Sequence, residues 1–396
     1  MSTFRINTGQ LRRAITRHRS SELKFIVPIF LICGSLSLLG CKGKVVETLP
    51  PHNFPEPISI SLNASVDRAL RNRAALLEWS TNNAISCEAS GGWSGDQGLD
   101  GSATVVVSEN GENQYTLSCS NQEYSSSASV VIEGFISESR TINQTIDGQI
   151  FERRYLIQYP ENPTDETYPV VIFFHGAGGD GQSYLNRHPR VLTLIDEGSF
   201  IGVFPDGFQK RWNVNNETSA DDVAFITEIF DVLSEHTVFD LRYSFAVGVS
   251  NGAGIVNRIG KETNLLMGIA PLISQQTTYL GTIVPPRTLS VFQVNGEEDD
   301  LVPIEGGNGV AGTMFMSAKD SAENWASFFE CQPVPVSDEF IWGDHPVFRF
   351  SFEGCRDDVS VQYFIVEGAE HTINFGSNFN VHQEAWSFLS RSLLGD

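Results

Sequence analysis

The chain has 396 residues, 41% of them apolar and 19% charged, with 35 Gly and 17 Pro. That apolar content is enough for a sizeable core, which excludes wholesale disorder, and the length suits two or three globular units at roughly 150 residues each. Lys and Arg total 26 against 48 Asp and Glu, a formal charge of −22. A surface this acidic repels phosphate backbones and excludes nucleic acid as the natural partner.

Residues 1–24 carry Arg5, Arg12, Arg13, Arg17, Arg19 and Lys24 against one acid, Glu22. The uncharged run Phe25 to Leu39 follows. It is short of the about 20 residues a bilayer span needs. A basic segment, a short apolar one and then small residues read as a secretory signal over residues 1–40. The run ends Leu38-Leu39-Gly40-Cys41, which resembles the bacterial lipobox. The resemblance implies lipid on Cys41 and an exported bacterial lipoprotein at the outer membrane or cell surface. Such a protein meets the membrane through its lipid alone. Removing the signal takes away six basic residues and one acid, leaving a net charge of −27. Cys33 leaves with it. The remaining Cys87, Cys119, Cys331 and Cys355 read as two disulfides in an exported chain. The long gap between the pairs favours Cys87–Cys119 and Cys331–Cys355. No CxxC pair and no nearby His suggest a metal site.

Residues 41–57 hold four Pro and no periodicity, and read as an extended spacer. Residues 58–136 read as short strands. Ile58 to Leu62 alternates, and Ala103 to Ser108, Gln114 to Ser120 and Ser129 to Gly134 are β candidates between Gly, Asn and Ser clusters. With one internal disulfide they predict a small all-β sandwich. The stretch Leu77 to Ser94 resembles immunoglobulin-like modules appended to bacterial secreted enzymes. It departs from true immunoglobulin domains in the early Trp93 and in Leu117 at the corner-tyrosine position. Trp79 and Trp93 read as core residues before sugar platforms.

From Ser137 the pattern changes. Continuous apolar runs at Val170–Phe174, Phe200–Phe204, Tyr243–Val249, Leu289–Val294 and Val359–Val366 predict buried parallel strands. A helix is predicted over Asp221–Glu235, with Val223, Ile226, Phe230 and Leu233 on one face and Ser219-x-x-Asp222 as its capping box. Trp386, Leu389 and Leu393 stripe a last helix. Alternating strands and helices mean an α/β domain over residues 137–396.

Gly248-Val-Ser250-Asn-Gly252 follows one predicted strand and precedes a helix, the setting of a nucleophile elbow. Ser250 is then the nucleophile, and the Asn251 amide faces a forming oxyanion. His175-Gly176-Ala177-Gly178-Gly179 follows the first buried strand, where such folds take a second oxyanion amide. The loop lacks the GK[ST] of a phosphate site. Of the later histidines, His371 follows the strand ending at Val366, His345 lies in an irregular stretch, and His382 begins the last helix. His371 is the preferred base. The orienting acid comes from Glu297, Glu298, Asp299 or Asp300, and spacing alone does not choose.

Together these stretches, with Phe204-Pro-Asp-Gly207, Trp212-Asn213, Asp221 to Ile226, Gly296 to Pro303 and Glu367 to Thr372, resemble the α/β-hydrolase esterases known as polyhydroxybutyrate depolymerases and feruloyl esterases. The resemblance covers residues 139–396. It implies an α/β-hydrolase fold and a Ser250–Asp299–His371 triad, with Asp300 the lesser contender for the acid because Glu297 replaces the family's usual Thr. It also implies a Cys331–Cys355 bridge and substrate contacts at Trp212 and Asn213. The implied function is serine carboxylic-ester hydrolysis without cofactor, on a polyester or a polysaccharide-linked ester. An acetyl-xylan esterase is the alternative, with a serine peptidase or a non-catalytic binding module more remote.

Overall fold

The computed structural model describes residues 56–163 and 167–393. The signal, Cys41 and the spacer up to residue 55 lie outside the described residues.

Eight strands fill residues 59–135: β1 Ser59–Ala64, β2 Arg68–Leu70, β3 Ala74–Asn82, β4 Ser86–Gly91, β5 Gly95–Gln97, β6 Gly101–Val106, β7 Gly111–Ser120 and β8 Ser125–Phe135. They form two sheets, ordered β1-β3-β6 and β2-β8-β7-β4-β5. Every second residue of β3 and β7 is buried, as two packed faces require. Leu77, Val107, Tyr115, Leu117 and Ile132 meet between the sheets. Trp79 and Trp93 pack edge to face at 5.3 Å, and their indole N–H groups donate to the Gly98 and Thr116 carbonyls. Both rings thus belong to the core. Cys87 and Cys119 are bonded, as the spacing predicts. They are register partners on the neighbouring strands β4 and β7. The bridge therefore staples one sheet, whereas an immunoglobulin disulfide joins two.

Ile136 alone separates β8 from β9 Ser137–Ile146, which opens a ten-stranded sheet. Its further strands are β10 Gln149–Gln158, β11 Tyr168–Phe174, β12 Ile201–Pro205, β13 Phe239–Val249, β14 Gly268–Leu272, β15 Ser290–Gly296, then β18 Val336–Trp342, β19 His345–Phe352 and β20 Val361–Val366. A small hairpin, β16 Gly307–Asn308 and β17 Met314–Phe315, stands apart. The sheet order is β18-β19-β20-β15-β14-β13-β11-β12-β10-β9. The six strands from β20 to β12 run parallel, and an antiparallel pair flanks each edge.

Seven helices cover this sheet: α1 Gly181–Arg187, α2 Pro189–Asp196, α3 Asp222–Ser234, α4 Asn251–Glu262, α5 Thr278–Gly281, α6 Ala318–Phe328 and α7 Val381–Leu389. Strand residues alternate between two cores. Val170, Ile172 and Phe174 face α3, α4 and α6, whereas Val171 and Phe173 face α1, α2 and α7. Burial on both faces explains the unbroken apolar runs. Helix α3 is capped by Asp221, whose carboxylate accepts from the Ala224 amide. The predicted Ser219 cap is therefore corrected. Asp222 turns inward instead, to Arg153 at 2.6 Å and to the Asn213 amide at 2.7 Å. Cys331 and Cys355 are bonded, as predicted.

Candidate active site

The central parallel strands end at one edge, and three of the loops beyond them carry the chemistry. Strand β13 ends at Val249 and α4 starts at Asn251, leaving Ser250 alone in the turn. Ser250 has φ 57° and ψ −119°, a conformation that costs an L-residue of order 1–3 kcal/mol and persists only where its surroundings force it. Gly252 permits the turn. A Cβ there would stand 2.2 Å from the Phe174 carbonyl oxygen.

His371 lies five residues beyond β20. Its Nε2 is 2.8 Å from Ser250 Oγ, and its Nδ1 is 2.6 Å from Asp299 Oδ2. Asp299 follows β15. Its Oδ1 accepts from the Leu301 and Val302 amides, both at 2.9 Å, so the carboxylate is held at both oxygens. The acid and base loops touch: Glu298 donates its amide to the Ala369 carbonyl at 2.9 Å. Gly296 makes this approach possible, because a Cβ there would lie 2.4 Å from that same oxygen. Of the four acidic candidates, Asp299 is buried, and Glu297, Glu298 and Asp300 are exposed. His345 instead has its Nδ1 at the Glu367 carbonyl, and His382 has its Nε2 at the Tyr184 hydroxyl. Burial pulls the pKa of His382 down to about 3, so the ring is neutral and stays bonded to the Tyr184 hydroxyl.

The Gly-rich loop after β11 faces the same spot. A Cβ on Gly176 would lie 3.6 Å from Ser250 Cβ. Asn251 opens α4, so its amide has no intrahelical partner and carries the positive end of the helix dipole. Two of the expected oxyanion residues do other work. Gly178 donates its amide to the Lys210 carbonyl at 2.8 Å. His175 anchors the loop: its Nε2 accepts from the Gly207 amide at 2.9 Å, and Nδ1 reaches the Gly176 carbonyl at 2.8 Å. Burial lowers its pKa, consistent with the neutral ring this bonding requires. The amides of His175, Gly176 and Ala177 remain as the loop's candidates beside Asn251.

Of the expected substrate contacts, Asn213 needs correction and Trp212 does not. Trp212 borders the cavity but is 3% exposed. Its indole N–H donates to the His175 carbonyl, and the Asn251 side chain clamps its backbone at both N–H and C=O. Asn213 faces away from the cavity and donates to the Thr218 and Ala220 carbonyls, both at 2.7 Å. Trp212 and Asn213 hold the loop that shapes the site.

The cavity over Ser250 measures about 770 Å³. Val214, Ile273, Leu301, Val302, Phe315 and Ile373 give it apolar walls. The sequence reading missed these residues because they come from five separate segments. Ile273 has φ 51°, which for a β-branched residue is a genuine outlier. That strain is invisible in the one-letter string. Among the described residues no group of three His, Cys, Asp or Glu side chains is arranged to hold a metal, and no helix is long and apolar enough to cross a membrane.

Relatives are found among known esterases. Feruloyl esterase B of Piromyces equi is 24% identical over 256 residues, covering 61% of this chain and 46% of the relative. The chain thus spans less than half of that relative's length. Feruloyl esterase C of Emericella nidulans is 24% identical over 253 residues, covering 61% of this chain and 84% of the relative. The chain is thus similar to feruloyl esterases over about three fifths of its length. Among solved structures, it is similar to an acetyl xylan esterase from Aspergillus awamori, with a TM-score of 0.44, 13% identity and coverage of 64% and 99%. No protein-family model matches the chain.

Proposed function

We propose that the protein is a serine carboxylic-ester hydrolase working through an acyl-enzyme. The observation that carries this reading is the unbroken chain Ser250 Oγ, His371, Asp299, at 2.8 and 2.6 Å, on the wall of a cavity. In this reading His371 Nε2 takes the Ser250 proton as Oγ attacks the ester carbonyl. The oxyanion is met by the Asn251 amide and by that of His175, Gly176 or Ala177. The imidazolium is stabilised by Asp299 and returns its proton to the leaving alkoxide. Water, activated by the same His371, then releases the acid and restores Ser250.

The cavity far exceeds what an acetyl group fills, and its apolar walls suit a bulky acyl group. That two relatives are feruloyl esterases favours an aromatic ester as the first candidate substrate. A hydroxyalkanoate polyester is the second candidate. Two disulfides fit an oxidising, extracytoplasmic compartment, and a lipid on Cys41 would tether the enzyme there.

The full chain and its Ser250→Ala variant are assayed on methyl ferulate, p-nitrophenyl acetate and butyrate, and a hydroxybutyrate film. Ferulate release that vanishes with Ser250 supports the reading. Preference for the film moves the substrate to polyesters. Equal activity in Ser250→Ala overturns the mechanism.

A further inference from the structure

Most basic side chains of the hydrolase region are spent on carboxylates. Arg153 pairs with Asp222, Arg154 with Asp206, Arg258 with Glu262 and Arg349 with Asp338. Arg187 and Arg211 differ: among the described residues neither has a carboxylate within ion-pair distance, and both border the cavity that holds Ser250. The chain as a whole carries −22, so an unpaired cation has many carboxylates available to it. Glu217, the acid on the same wall, spends its oxygens on the Asn215 amide and side chain at 2.8 and 3.0 Å. Arg187 ends α1, where a cation suits the helix dipole. Arg211 ends no α-helix, so the dipole does not account for the pair.

We propose that Arg187 and Arg211 form an anion-reading subsite, so that the preferred ester carries a carboxylate near its scissile bond. The inference rests on the serine-esterase reading and narrows its substrate class. A guanidinium offers a planar fork that matches a carboxylate, and both arginines are exposed, so the fork is open to an incoming anion. Arg190, Arg287 and Arg391 also lack a carboxylate partner among the described residues but lie outside the cavity, so Arg187 and Arg211 are the unpaired arginines that line it. Two sources supply this chemistry: the free end of a hydroxyalkanoate oligomer, and a uronate residue in a polysaccharide.

The test uses the full chain with p-nitrophenyl butyrate and p-nitrophenyl hemisuccinate, acyl groups of similar length that differ by a terminal carboxylate. The hemisuccinate is expected to have the higher kcat/KM, mainly through a lower KM. Arg187→Gln and Arg211→Gln should each reduce the hemisuccinate-to-butyrate ratio roughly fivefold, the scale of one partly exposed ion pair. About 0.5 M NaCl should compress the ratio in the unmodified protein, where folding is not in question. Arg190→Gln, on α2 and outside the cavity, should leave it unchanged. Free against methyl-capped hydroxybutyrate oligomers, and acetylated oligosaccharides with and without a uronate, separate the two sources. Butyrate cleaved at least as fast as hemisuccinate, or a ratio that survives both substitutions, overturns the subsite and spares the esterase. If neither ester is cleaved, the esterase reading falls and the subsite with it.

Discussion

The sandwich and the hydrolase region place their polar atoms differently. In the sandwich, hydroxyls pair across strands on the exposed face, Thr116 with Ser129 at 2.8 Å and Ser118 with Ser127 at 2.9 Å. In the hydrolase region such groups go inside. Asn295 donates to Gln275 at 2.7 Å, Gln293 to Asn295 at 2.9 Å and Ser321 to Gln293 at 2.7 Å, all buried around the strand that leads to Asp299. A buried polar chain is stable when each member is satisfied, and it then fixes one geometry. The sandwich needs a stable body; the hydrolase region needs one arrangement of three side chains.

Five substitutions test that contrast. Asp299→Asn should cut kcat by about four orders of magnitude, the effect of losing the orienting acid in a serine triad, while Asp300→Asn stays near the unmodified value. Steady-state kinetics on a soluble ester decide this, and a large loss in Asp300→Asn would reassign the acid. Gly252→Ala drives a methyl group onto the Phe174 carbonyl at 2.2 Å. A loss of at least about 3 kcal/mol in urea unfolding is expected, and unchanged stability would show that the elbow is looser than described. Trp79→Ala empties the sandwich core and should cost about 3 kcal/mol. Activity on a soluble ester should persist; its loss would mean that the sandwich supports the site.

Lys261 gives a pH signature. It lies buried on α4, donating to Asn324 at 2.7 Å with the Trp325 and Phe328 rings beside it. Burial pulls its ammonium from 10.5 down to about 7. As pH falls from 10.5 to 7, the unfolded chain takes up this proton first, so the fold loses stability; below 7 both states are charged and the penalty is constant. Lys261→Met should therefore gain on the unmodified protein across that window in melting experiments. Parallel pH profiles would refute the assignment.

These contrasts also explain what was legible in the sequence. Strands buried on both faces, such as β11 and β13, announce themselves as unbroken apolar runs, and the elbow stands between one of them and α4. The edge strands are different. Val336-Ser-Asp-Glu-Phe-Ile-Trp342 is largely exposed and mixed in character, so no apolar run or clean alternation marks it. The short β14 carries a Gly and a Pro, which read as breakers. Ser250, Asn251, His371 and the two disulfide pairs follow from position along the chain. The acid does not: four carboxylates stand in a row, and Asp299 is distinguished by amides two and three residues later, a feature of loop closure. Asn213 and Gly178 misled for the opposite reason. Their types suit a binding site, but tertiary hydrogen bonds direct them to the scaffold.

The central claim is that Ser250 is a nucleophile activated by His371. The most direct measurement is intact-protein and peptide mass spectrometry of the full chain after treatment with a fluorophosphonate. The account predicts one adduct, located on Ser250, lost in Ser250→Ala and strongly slowed in His371→Ala. An unlabelled Ser250, or labelling that does not depend on His371, would contradict it.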